Sequence, residues 1–161
     1  MTNEELFAAT AIHSWKIVID RLDKAFASLS DEELQKVVAP GKNRIYYLLG
    51  HLTAVHDRLL PMLFLGERLH PELDETFLTN PDKASPDTFS AADLRKAWTE
   101  VNTKLAAAFE ALPAADWLKR HEAVPAEEFA KEPLRNRLAV LISRTGHAAF
   151  HAGQIRLTKK S

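Results

Sequence analysis

The chain has 161 residues, of which 46% are apolar and 27% charged, with a formal net charge of -1; these are the proportions of one globular domain spanning 1–161. It holds no cysteine and seven histidines, which excludes disulfides, thiolate zinc sites, iron–sulfur clusters and a protein thiol nucleophile, so any bound metal must rest on imidazole and carboxylate. The near-neutral balance lacks the basic excess of a nucleic-acid binder, the opening MTNEELFAATAIHSW lacks a secretory pattern, and no stretch reaches the roughly 18 apolar residues of a membrane span. A cytoplasmic protein with no nucleic-acid or membrane partner is expected.

Only five glycines occur, and alanine, leucine, lysine and glutamate dominate, which predicts an all-α fold. A first helix is expected to open at Asn3 as N-cap, with Glu4 and Glu5 at the positive end of its dipole. Trp15, Val18, Ile19, Leu22, Phe26 and Leu29 form its buried stripe. Ser30 and Glu33 make a capping-box pattern for a short turn, and Ala39-Pro40-Gly41 breaks the chain. The second helix is expected from Asn43 or Arg44 through IYYLLGHLTAVHDRLLPMLFL, with Ile45, Leu48, Leu52, Val55, Leu59 and Leu63 inward and a bend at Pro61.

Prolines 71, 81 and 86 predict a long irregular connection from Gly66 to about Phe89, and such a crossover often borders a functional surface. Ser90 with Asp93 marks the next start, followed by the stripe Leu94, Trp98, Val101, Leu105, Phe109 and Leu112. A short helical piece around Trp117 and a second broken connection, HEAVPAEEFAKEP, precede a fourth helix from about Leu134 to Lys159, with Pro133 in its first turn. Four amphipathic helices with long connections between helices 2–3 and 3–4 predict a four-helix bundle.

The chemistry lies in the histidines. His147 and His151, four residues apart in SRTGHAAFHAGQIRL, stack on one helix face about 6 Å apart along the axis, a chelating spacing. Their stripe also carries Asn136, Val140, Ser143, Arg144, Gln154 and Thr158, opposite the Leu138, Leu141 and Ile142 side, and a polar stripe on a bundle helix is most often simply solvated. Ala148 stands where a zincin needs its glutamate. Only Glu67 to His70 has the Glu-x-x-His spacing of a di-iron bundle, and Pro71 ends that segment. No Gly-x-Ser-x-Gly elbow or phosphate loop is present. A third ligand has two candidates in the second helix, His51 and His56, and periodicity does not choose between them: His56 lies nearer the middle of the leucine stripe and His51 at its edge.

With a histidine in the phrase LLGHLTAVHDRLL and a last helix reading GHAAFHAGQI, the chain resembles the DinB-like superfamily of bacterial metal-binding four-helix bundles. The resemblance covers nearly the whole chain and is sharpened by Phe150 just before His151 and by Gly153-Gln154 after it. It implies that His51, His147 and His151 bind one divalent metal, with Zn or Ni expected and imidazole suiting several metals alike. It also implies thiol-dependent transferase or isomerase chemistry with low-molecular-weight bacterial thiols, since the superfamily includes such enzymes beside many members with no assigned reaction, and a homodimer.

Three neutral imidazoles would leave an ion its full charge and an open position, the pattern of a catalytic site. Such an ion lowers the pKa of bound water to about 7 or deprotonates a coordinated thiol, so the expected function is transfer of a thiol to, or hydrolysis of, a small electrophilic substrate. The alternatives are a metal- or ligand-binding dimer of stress-response type without turnover, and a metal-free bundle with solvated histidines. Gln154 is expected to contact a ligand or orient the site, or else to make an ordinary interhelical bond; Arg144, to bind a substrate carboxylate or pair at the surface. His13, His70 and His121 are expected to be solvent-exposed, and Tyr46 and Tyr47 to pack.

Overall fold

A computed structural model describes residues 1–159. Six α-helices form: α1 (Asn3–Ser28), α2 (Ile45–Asp57), α3 (Leu59–Met62), α4 (Ala91–Ala111), α5 (Ala126–Lys131) and α6 (Arg137–Leu157). Among the described residues there is no strand, only two isolated bridges, Val37 with Arg44 and Arg120 with Asn136. The fold is all-α.

The helix starts follow side chains able to meet orphan backbone N–H groups. Thr2, rather than Asn3, caps α1: its Oγ1 accepts from Glu5 N while Glu5 reaches back to Thr2 N. Ser30 and Glu33 make the reciprocal pair expected of them, around a 3-10 turn at Glu33–Gln35. Ser90 caps α4 through Asp93 N. The last helix opens at Arg137, later than expected, because Asn136 Oδ1 accepts from Ala139 N at 2.9 Å and makes Asn136 the cap, leaving Pro133 ahead of the helix. The second helix breaks at Arg58, and Pro61 sits inside the short α3 that follows; proline has no N–H for the carbonyl of Asp57, so the ladder is interrupted one turn before it.

Burial follows the stripes. Every predicted inward residue of α1 is buried, as are Leu94, Trp98, Val101, Leu105 and Phe109 on α4 and Ile45, Leu48, Leu52, Leu59 and Leu63 on α2 and α3; Val55 is half-buried. The last helix departs from the pattern. It buries only Leu141, Ala148 and Ile155, every seventh residue, while Ile142, expected on the inner side, is 58% exposed.

Contacts give the helix directions. Phe7 shares a pocket wall with Leu138 and Ile142, and Ser28 meets Lys159, so α1 and α6 run parallel. Tyr46 bonds to the Phe89 carbonyl and His56 to Asn102, so α2 and α4 also run parallel. Trp98 donates to Asp23 and Lys16 meets Glu110, which sets α1 against α4. Two parallel neighbours need a connection that returns the whole helix length, which is why residues 63–90 are long.

That connection is not structureless: a 3-10 turn at Pro71–Leu73 runs into a π-type turn at Glu75–Thr79. Buried charges hold it in place. Arg44 bonds Asp82 at 2.7 Å and Asp87 at 2.9 Å, and fully buried Asp57 accepts from Leu69 N, His70 N and Arg68 Nε. Burial alone would raise the Asp82 carboxyl, but the hydrogen bonds and charge of Arg44 bring it below its ordinary value. The second connection contains the expected helical turn at Ala114–Leu118, which buries Trp117, and also α5, which proline-flanked AEEFAK did not announce.

Candidate metal centre

His147 and His151 lie one turn apart on α6, half-buried and turned toward α2 rather than toward water. His51, half-buried on α2, faces them. The three Nε2 atoms converge: His147 Nε2 is 3.3 Å from His51 Nε2 and 3.1 Å from His151 Nε2. One ligand atom from each of the three lies within 4.8 Å of the others, so the group could hold a metal ion.

The outer ring nitrogens decide the tautomers. His51 Nδ1 lies 2.9 Å from the Phe77 carbonyl, which can only accept, so Nδ1–H donates and His51 Nε2 keeps its lone pair. His151 Nδ1–H donates to Gln154 Oε1 at 2.7 Å, which likewise leaves a lone pair on Nε2. A single proton on His147 Nε2 can satisfy one of these acceptors, not both. Three imidazole nitrogens converging with at most one proton among them make a donor set suited to a cation. Nitrogens placed about 2.0–2.1 Å from a tetrahedral zinc stand about 3.3 Å apart, which is the spacing of the two closest pairs.

Electrostatics favours neutral ligands. Burial first, then the neighbouring histidines and Arg144, pushes His147 down to about 4. Burial also lowers His151, against the opposing hydrogen bond to Gln154. His147 Nδ1 is buried and has no partner. Tyr47 stacks on His51 at 6.1 Å and 13°, its hydroxyl donating to the Asn80 carbonyl, while the buried Tyr46 hydroxyl donates to Phe89 O. Phe150, though 62% exposed, leans its ring on His151 at 5.3 Å.

A model of the DinB superfamily matches residues 14–155. The chain belongs to the DinB superfamily. No curated protein matches it. In this DinB superfamily chain the structure separates the two candidates that periodicity left open on the second helix: His51 joins the α6 pair, while His56 is fully buried between Trp15 and Trp98 and bonds Asn102 Oδ1 at 2.9 Å.

Of the three histidines expected to be exposed, only His13 is. His70 is bracketed by Glu72 and Glu100, and His121 is half-buried with an unpartnered Nδ1. Gln154 has the orienting role through His151, whereas Arg144 makes no ion pair among the described residues.

Two contributors escaped the sequence. The Phe77 carbonyl that orients His51 belongs to the π-type turn, and Gly50 admits that turn: a Cβ at Gly50 would lie 2.4 Å from the Phe77 ring. A glycine inside a helix, immediately before a ligand candidate, was the one available signal.

Proposed function

We propose that the four long helices form a four-helix bundle in which His51, His147 and His151 hold one divalent metal ion, Zn or Ni, and that the protein is an enzyme that joins a low-molecular-weight thiol or water to a small electrophilic substrate. The observation that carries this reading is the convergence of three imidazole nitrogens, with the outer N–H groups of His51 and His151 already committed to Phe77 O and Gln154 Oε1. When bound, the ion supplies Lewis-acid chemistry that makes a nucleophile at neutral pH, which a chain without cysteine does not provide itself.

The residues present do the rest. The Phe77 carbonyl and Gln154 fix the rings of His51 and His151 and strengthen them as donors. Burial keeps His147 uncharged at neutral pH. Three neutral ligands add no negative charge, and α6 contains no acidic residue, so the site attracts an anionic nucleophile. We also propose a homodimer, supported by the groove between α1 and α6 that no charged residue lines.

Tag-free protein should contain about one equivalent of metal, lost on His51→Ala, His147→Ala or His151→Ala; unchanged metal content in these variants would overturn the site. Thiol consumption with a panel of bacterial thiols and electrophiles then tests the reaction, and absence of turnover in metal-loaded protein would leave a binding module in its place.

A further inference from the structure

Toward the N-terminus of α6 its surface is concave. There a pocket of about 340 Å³ is walled by Met62 of α3, His121 of the second connection, and Ala139, Val140, Ser143 and Arg144 of α6. Its volume suits a small molecule. Arg144 stands three residues before His147, a rise of about 4.5 Å, and its charge reaches both His147 and His56.

The half-buried guanidinium groups of Arg120 and Arg137 donate to backbone carbonyls, and the buried one of Arg44 to carboxylates. Arg144 has no carboxylate beside it: no acidic residue lines the pocket or occurs anywhere in α6. His121 lines the same pocket, its Nδ1 buried from solvent without a partner, and burial together with the charge of Arg135 lowers that imidazole below its ordinary value. Arg144 and Arg135 therefore put positive charge on one cavity whose walls also include Asn136 and Ser143 and the apolar Met62, Leu134, Ala139 and Val140. A planar guanidinium fork matches a carboxylate with two parallel hydrogen bonds.

We propose that this pocket recognises the carboxylate of a small organic acid, with Arg144 as the binding residue and the apolar walls covering the carbon body. The inference rests on the reading of the histidines as a metal centre and names its substrate class: a small acid reaching from Arg144 to the histidines one helical turn away. The apolar walls favour a carboxylate on a hydrocarbon stem over a heavily hydrated phosphate.

The test compares 3-mercaptopropionate with 3-mercapto-1-propanol, which has the same carbon chain and an uncharged end. Binding to cobalt-loaded protein is read from the thiolate-to-cobalt absorption band. The acid should bind about tenfold tighter than the alcohol, as expected for a charge-assisted pair. Arg144→Gln should remove that advantage without changing the affinity for the alcohol, and Arg144→Lys should keep part of it. Equal affinities for the two thiols in the wild type, or an undiminished advantage in Arg144→Gln, would overturn the proposal.

Metal-free protein titrated with propionate separates this failure from that of the metal centre. A saturable NMR shift of the Arg144 Nε–H supports the carboxylate site even if no metal is taken up. No shift, in protein that also shows no preference between the thiols, sinks it.

Discussion

His51 and His56 sit five residues apart on α2 and have opposite environments. His56 is enclosed by Trp15 at 4.7 Å and Trp98 at 5.2 Å, and burial pushes it down to about 3, against the hydrogen bond to Asn102 and with the help of positive charge from His147, Arg144 and His51. An unfolded histidine titrates near 6.5. Between that value and about 3 the unfolded chain binds a proton that the native chain refuses, so stability is fully present above the unfolded value and falls as pH drops through this window. The expected loss from pH 6.5 to 4.5 is about 2 kcal/mol from this residue. His147, also lowered, adds to the same window, so the check is a difference: urea unfolding of wild type and His56→Gln across pH 4.5–7.5, in which the variant's curve should be flatter by about that amount. Parallel curves would show that His56 titrates normally. Sequence periodicity could not tell these histidines apart, since both border one leucine stripe. What distinguishes them is which helix lies over each, α1 and α4 above His56 and α6 above His51, and that is decided by packing between distant segments.

At the scale of elements, α2 is placed by what leans on it. Gly50 is the contact point: in an isolated helix Gly→Ala would add roughly 1 kcal/mol, but here the new methyl would fall 2.4 Å from the Phe77 ring. The turn at Glu75–Thr79 must then withdraw and take the Phe77 carbonyl away from His51 Nδ1. Gly50→Ala is expected to cost about 1–3 kcal/mol of stability by overpacking and to weaken metal binding about 10- to 100-fold, the usual effect of losing a ligand's outer partner. Thermal unfolding and competition with a chelator measure the two effects; a stabilised variant with unchanged metal affinity would refute the linkage. The long helices and the Ser30 and Ser90 caps were readable because period and capping chemistry are local, whereas the caps of α1 and α6 fell at Thr2 and Asn136 instead of the expected positions. The first connection was readable only as proline-rich and irregular. Its course depends on Arg44 reaching Asp82 and Asp87 and on Asp57 gathering the N–H groups of Leu69 and His70, pairs that no short-range pattern announces.

At the scale of the whole molecule, α6 divides its surface three ways. A narrow line of Leu141, Ala148 and Ile155 enters the core, the histidine stripe faces α2, and Leu138 and Ile142 turn outward beside Phe7 of the parallel α1. Amphipathic reading assumes one apolar and one solvated face, which is why it assigned Ile142 to the interior and allowed the histidines to be solvated. The outer face is a groove of about 390 Å³ lined by Phe7, Thr10, Ala11, Ser14, Leu138, Ile142 and Thr145, without a charged residue, and Phe7 is 64% exposed and Ile142 58%. Such an uncharged groove is the surface on which the proposed dimer rests. Two parallel helices offering one patch can meet a second copy about a two-fold axis, each Phe7 entering the groove of the other subunit, with no partner of different chemistry required. Sedimentation of the wild type should therefore show a dimer. Ile142→Glu, which places a carboxylate where the two patches meet, should yield monomers with helix content and metal stoichiometry intact, because Ile142 points away from both the core and the histidines. A wild type that sediments as a monomer at micromolar concentration, or a dimer indifferent to Ile142→Glu, would exclude this face as the subunit contact.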